Sequence, residues 1–198
     1  MAAIQTRSLT KRFDDVVAVR DLDLTVEAGE VYGFLGPNGA GKSTTINLLL
    51  DFMRPSEGSA TVLGHDAQDE SRAIRERIGI LPEGFDLYDR LTGREHLAFT
   101  VESKGAGDDP DALLERVGLS AADAERRVGG YSKGMIQRLA LASALAGDPD
   151  LLVLDEPSSG LDPHGIQQMR EILRTEAERG TAVFFSSHIL SEVEAVCD

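Results

Sequence analysis

Cysteine is almost absent: Cys197 is the only one in 198 residues. That excludes an internal disulfide framework and any cysteine-rich metal centre, and it fits a reducing cytosol. No apolar stretch approaches the roughly 18 residues that suggest a membrane-spanning helix. The opening residues, Met1 to Asp15, are charged and contain no apolar h-region, so no secretory signal is visible. The chain is therefore expected to be soluble by itself, with any membrane role supplied through a partner. Lysine is also scarce, 4 residues against 16 arginines. Asp and Glu total 34 against 20 Lys and Arg, a formal charge of −14, and no basic run occurs. Such a chain is a poor candidate for gripping nucleic-acid phosphates, where clustered cations supply the affinity. Excess carboxylate with little lysine points to a high-salt cytoplasm, or to a genome whose base composition favours arginine. Internal repeats and sustained heptads are missing too, which argues against solenoids and coiled-coil arms.

What is present is an apolar content of 41%, enough for a real core, in a length that suits one α/β domain. From Val16 to Val26 apolar residues alternate, with one slip at Arg20–Asp21, a pattern of half-buried antiparallel strands. Val31 to Leu35 reads as a buried strand feeding a loop at Gly36. Ile46, Leu49, Leu50 and Met53 fall at helical spacing until Pro55. Ser59–Leu63 and Ile78–Leu81 read as further short strands. From Leu91 to about Ala146 the pattern is helical. Thr92 with Glu95 has the capping-box form, Asp109-Pro110 is a second helix start and Gly118 its stop. Lys104–Asp109 is the expected flexible link. Leu151–Leu154 and Thr181–Phe185 are continuous apolar runs, as parallel strands covered on both faces require. Ile166, Met169 and Leu173 line a helix between them. The expected architecture is an α/β core with a mainly parallel sheet, an antiparallel β subdomain near the start, and an inserted helical subdomain. The core covers 1–90 and 147–198, and the insertion 91–146.

Gly36-Pro37-Asn38-Gly39-Ala40-Gly41-Lys42-Ser43 satisfies G-x-x-x-x-G-K-[ST] between a strand and a helix, the context that the motif needs. Glycines let the backbone fold into a nest whose N–H groups face phosphate oxygens, and the helix start adds its positive dipole end. Lys42 then reaches the β- and γ-phosphates, and the Ser43 hydroxyl is a ligand for Mg²⁺. Leu151 to Glu156 sets two adjacent carboxylates at the end of a buried strand, where ligands gather in open α/β sheets. Asp155 is read as holding Mg²⁺ and Glu156 as the base that accepts a proton from attacking water. Taken alone, Asp-Glu-Pro would serve equally well as a polar strand exit.

On these residues the chain resembles the ATP-binding subunits of ABC transporters over nearly its whole length. The most specific element is Tyr131-Ser132-Lys133-Gly134-Met135 followed by Gln137-Arg138, which is similar to the family's signature segment. The family usually has Leu-Ser-Gly-Gly-Gln there, so Tyr131, Lys133 and Met135 depart from it while Ser132 and Gly134 are retained. Ser132 is also a good N-cap. The resemblance implies a P-loop NTPase core that binds ATP through Gly36 to Thr44. Phe13 matches the aromatic that stacks on adenine, although ordinary core packing suits it as well. Glu83 stands where the family usually has Gln, in a loop that senses Mg²⁺ and the membrane subunit. Asp162 matches the loop crossing between paired subunits and also reads as an N-cap, with Pro163 at the first helical position. His188 matches the switch histidine at the γ-phosphate, while His65, His96 and His164 carry no assigned role.

The resemblance further implies a head-to-tail pair with a second copy or a homologous ATPase subunit. The phosphate loop of one copy then faces Ser132 and Gly134 of the other, with ATP and Mg²⁺ between them. A membrane-spanning permease partner would hold the pair at the inner face of the cell membrane, and nucleic acid is not an expected partner. The segments Leu81-Pro82-Glu83 and Tyr131–Met135 are similar to those of exporters for drugs, lipids or polysaccharides. Two alternatives stand beside this. One is a soluble ABC-type ATPase such as those of iron–sulfur assembly; the other is a generic P-loop kinase or GTPase, against which Tyr131–Arg138 argues. Family members generally continue past the point ten residues after His188 where this chain stops, so a truncated chain is expected.

Overall fold

The computed structural model describes residues 1–84 and 87–197. Strands β1 (Ala2–Phe13) and β2 (Val16–Glu27) form a long antiparallel hairpin. With β4 (Glu57–Val62) and β5 (His65–Asp66) they complete a sheet of order β2-β1-β4-β5. The alternation from Val16 is thus one strand rather than two, and its partner β1 precedes it. Periodicity conceals β1 because buried Thr6 and Thr10 occupy inward positions and bulges break the register. Those threonines are satisfied locally, Thr6 donating to the Leu22 carbonyl at 2.7 Å and Thr10 accepting from the Asp21 N–H at 3.0 Å. The slip at Arg20–Asp21 is such an irregularity, with Asp21 at φ +44°.

A second sheet is wholly parallel, in the order β3-β8-β7-β6. It contains β3 (Val31–Leu35), β6 (Ile78–Leu81), β7 (Leu151–Asp155) and β8 (Ala182–Ser187). The two central strands are buried throughout and feed two cores by alternation. Leu151, Val153, Ala182 and Phe184 face the antiparallel sheet, while Leu152, Leu154, Val183 and Phe185 face the helices. Covering both faces explains why these strands read as unbroken apolar runs. By contrast β3, expected to be buried, is half-buried, although β6 at the opposite edge of the sheet is largely buried.

Helix α1 (Lys42–Leu49) follows β3, and α2 (Ser71–Arg75) precedes β6. Between β6 and β7 the chain inserts α3 (Gly93–Lys104), α4 (Pro110–Arg116), α5 (Ala121–Ala124) and α6 (Lys133–Leu145). Then α7 (Pro163–Glu178) joins β7 to β8, and α8 (Leu190–Cys197) follows β8. Thr92 and Glu95 form the reciprocal capping box, at 3.1 and 2.8 Å. Asp109 caps α4, with Pro110 at its first position and Gly118 past its end. The link after α3, read as flexible, is tied to the end of α6: Asp108 accepts from the Gly147 N–H at 2.9 Å and Lys104 Nζ donates to the Ala146 carbonyl at 2.8 Å. Helix α1 stops at Leu49, before Met53 and Pro55, with Asp51 at φ +56° turning the chain away. The fold class read from the sequence, a parallel α/β core with an antiparallel sheet and a helical insertion, is the one observed.

Candidate functional site

Four parallel strands end on one edge of the sheet, and each hands its next residues to a common cleft. Gly36–Ser43 follows β3, Glu83 follows β6, Asp155 and Glu156 close β7, and His188 follows β8. Two adjoining cavities of about 280 Å³ each occupy this edge and share Asn38, Glu83, Asp155 and Glu156 in their walls. This is the position where open α/β sheets take their ligands.

The loop before α1 is shaped by close approach. Gly41 has φ +89°, and a Cβ there would lie 2.3 Å from the Ala18 carbonyl oxygen of β2. The hairpin therefore presses on the loop, and only glycine fits. Gly41 contributes no side-chain cap to α1, leaving the first N–H groups of the helix for another acceptor. Gly39, Gly41, Lys42, Ser43 and Thr44 line the cavity. Lys42 is folded back, its side chain 7% exposed and its Nζ donating to the carbonyls of Gly36 at 2.6 Å and Pro37 at 3.3 Å. The same ammonium lies 3.3 Å from Glu156 Oε1.

Glu156 is held under strain. Its φ of +49° is uncommon for a residue with a side chain, and such conformations cost of the order of 1–3 kcal/mol and cluster at functional sites. Its N–H donates to Ser186 Oγ at 3.0 Å, and the same hydroxyl donates to the buried Asp155 carboxylate. Glu156 Oε2 lies 2.8 Å from His188 Nδ1, whereas Oε1 is buried and accepts no hydrogen bond. Gln137 Nε2 donates to the carbonyls of Glu156 and Pro157 at 3.3 and 3.0 Å, steadying the turn from the helical side. Carboxylate and imidazole thus form a pair at the cleft wall, able to take and pass a proton.

Ser43 Oγ lies 3.5 Å from Glu83 Oε2, and Asp155 lines the same cavity. All three offer hard oxygen donors, and the set fits Mg²⁺, which is commonly bound by one or two carboxylates together with substrate phosphates. Phe13 stands at the hairpin tip, 42% exposed with Lys11 Nζ 5.2 Å from its ring centre, so the ordinary-core reading does not hold. Its ring is not in the walls of the two cavities.

Ser132 and Gly134 lie elsewhere. Ser132 caps α6, accepting from the Met135 N–H at 3.3 Å, and the two residues line a third cavity of about 520 Å³ with Arg138 and Asp162. That cavity shares no residue with the wall that carries Lys42 and Ser43. A Cβ on Gly134 would come within 3.1 Å of the Gly160 carbonyl, so the loop leading to Asp162 rests directly on the start of α6. Asp162 caps α7 through the Gly165 N–H at 2.9 Å, and that bond holds its carboxyl below the usual carboxylate range. Tyr131, one of the departures, is buried and donates to the Asp123 carbonyl at 2.6 Å. Lys133, another departure, borders both this cavity and the one holding Glu156 and His188.

Reading by sequence missed Ser186 and passed over Gln137 except as part of a motif. Two serines ending an otherwise apolar, buried strand were the available signal.

A family model described as "ABC transporter" matches residues 19–159. A bacitracin transport ATP-binding protein of Bacillus licheniformis, BcrA, is 42% identical over 98% of this chain and 64% of its own length. A fluoroquinolones export ATP-binding protein of Mycobacterium tuberculosis is 43% identical over 98% of this chain and 65% of its own. The chain thus spans a little under two thirds of these relatives. The dimeric structure of MJ0796, described as a bacterial ABC transporter cassette, superposes with a TM-score of 0.88 at 25% identity, covering 97% of this chain and 90% of that one.

Proposed function

The chain belongs to the ABC transporter family, and from that membership we propose that it is the ATP-binding and ATP-hydrolysing subunit of an exporting membrane transporter. It works as a head-to-tail pair, with a second copy or a homologous ATPase subunit, at the inner membrane face beside a permease. The observation that carries this reading is the split site. The wall with Lys42, Ser43, Asp155 and Glu156 and the wall with Ser132 and Gly134 belong to separate cavities, so one copy alone does not close around a nucleotide.

The phosphates of ATP settle on the free N–H groups at the start of α1, and Lys42 exchanges its loop carbonyls for phosphate oxygens. Ser43 and Asp155, with Glu83 beside them, are suited to hold Mg²⁺, which when bound neutralises phosphate charge. Glu156 accepts a proton from the attacking water, and His188, already 2.8 Å from it, holds the carboxylate in place and faces the γ-phosphate. The second copy brings Ser132, Gly134 and the amides at the start of its α6 that the Ser132 cap leaves open to the opposite side of the triphosphate. A chain with a net charge of −14 binds a polyanion only where such donors converge. ATP therefore joins the two copies, and hydrolysis releases them. Phe13 stands exposed enough to stack on the adenine.

The permease is supported by an aromatic surface where Tyr88, just before the helical insertion, and Phe99 of α3 meet edge to face at 6.3 Å, both more than half exposed. Among the described residues no helix is long and apolar enough to cross a membrane. Export is the reading favoured by relatives named for fluoroquinolones export and bacitracin transport, and a soluble iron–sulfur role draws no support from them.

The test is complementation. Lys42→Ala and Ser132→Arg should each abolish hydrolysis, whereas a mixture should recover activity, because each mixed pair contains one intact site. A mixture that stays inactive while both variants fold and associate would overturn the shared site.

A further inference from the structure

Helix α8 begins beside the site, and its first turn carries Glu192, a buried carboxylate with no cation paired to it among the described residues. Its Oε2 accepts two hydrogen bonds, from Ser158 Oγ at 2.7 Å and from Ser187 Oγ at 2.9 Å. Both serines are buried as well. They come from different segments, a turn and a strand end. Ser158 opens the turn that runs through Gly160 to Asp162, and Ser187 directly precedes His188 and also accepts from the Ile189 N–H at 3.0 Å. A buried carboxylate is expensive unless its oxygens are well bonded, and two hydroxyls recover only part of that expense. If the position only had to be filled, leucine would serve with less penalty.

Nor is Glu192 needed to seat α8. Val193 and Val196 pack into the core, Val193 lying against Gly33 of β3, and Arg174 donates to the Ala195 carbonyl at 2.6 Å. The helix is anchored along its length, and Glu192 is left to act on the loops.

We infer that Glu192 is a positioning residue, a buried latch that joins the turn leading to Asp162 to the strand end that presents His188. The joint makes the segment facing the second copy and the segment facing the γ-phosphate move together, so arrival of the partner is felt at His188 and, through its 2.8 Å contact, at Glu156. This rests on the roles proposed above for Asp162 and His188, but the latch itself is a property of the single chain.

Two variants separate geometry from charge. Glu192→Leu removes the acceptor, while Glu192→Gln keeps an oxygen that can accept from both serines. The leucine variant should stay folded and keep its affinity for a fluorescent ATP analogue within about twofold, yet lose kcat by about ten- to a hundredfold, as expected when a reacting group is slightly misplaced. The glutamine variant should recover most of that loss. A leucine variant with unchanged kcat, or a glutamine variant as impaired as leucine, overturns the inference. Hydrogen exchange without nucleotide provides a readout independent of turnover. Glu192→Leu should raise exchange at 158–162 and at 188–189 together, and Glu192→Gln at neither. A rise in one segment alone, or in none, also overturns the latch. If the unsubstituted protein hydrolyses no ATP, the proposed function fails while the exchange result still decides the latch.

Discussion

Ser186 lies buried behind the cleft wall and ties together the two residues that carry its carboxylates. Its hydroxyl donates to the Asp155 carboxylate and accepts from the Glu156 N–H at 3.0 Å, and it is fully buried. Ser186→Ala therefore breaks two bonds without changing volume much. A hydrogen bond to a charged group is worth about 1.5–3 kcal/mol and an ordinary one about 1 kcal/mol, for a sum of roughly 2.5–4 kcal/mol. Asp155 also lines the open cleft, so water replaces part of what is lost and the lower end of that range applies. At about 2–4 °C per kcal/mol for a domain of this size, the melting temperature should fall by roughly 5–10 °C. The functional effect follows from the strained backbone of Glu156, which loses the acceptor that holds it at φ +49°. Hydrolysis should then slow by about tenfold or more through misplacement of the carboxylate. Calorimetry and phosphate release measure the two effects on one preparation. A variant that melts within 2 °C of the parent and hydrolyses ATP at the parental rate would refute the assignment of Ser186 as the support of this wall.

Glu156→Gln should bind ATP with near-normal affinity and accumulate as a dimer on gel filtration, while hydrolysis falls about 10²–10⁴-fold, a barrier increase of roughly 3–5 kcal/mol. Turnover at the parental rate would remove Glu156 as the base. His96 is buried, its Nδ1 has no hydrogen-bond partner, and burial pushes its pKa down. The folded state thus binds its proton less readily than the unfolded state does. The neutral form contributes its full stability above the ordinary histidine range, and stability is lost as pH falls below about 6.5. Replacing His96 with Leu should shrink the drop in melting temperature between about pH 7.5 and 5.5, and an unchanged drop would count against that account.

Much of the fold was legible because its signals are local. The phosphate loop is eight consecutive residues whose meaning depends only on a strand before and a helix after. The caps at Thr92, Asp109, Ser132 and Asp162 are each closed within three residues, at distances that short-range geometry sets. Strands β7 and β8 could be read because complete burial leaves an unbroken apolar run. Strand β1 could not, because threonines satisfied by the neighbouring strand occupy its inward positions and bulges shift its period. The half-burial of β3 was hidden for a related reason, since what covers the faces of a strand leaves no mark on its own residues.

From sequence alone came the chemical groups: a nest for phosphates, a lysine, paired carboxylates at a strand exit, a serine-capped helix start and a histidine in the right order. Their arrangement came from tertiary structure. The order β3-β8-β7-β6 sets Ser186 against Asp155 and His188 against Glu156 across about thirty residues of chain, and no periodicity records such a pairing. The same packing keeps Ser132 and Gly134 in a cavity apart from Lys42 and bridges a turn and a strand end through Glu192. Local backbone preferences act over a few residues, whereas these contacts exist only once the sheet and its covering helices have closed around two cores.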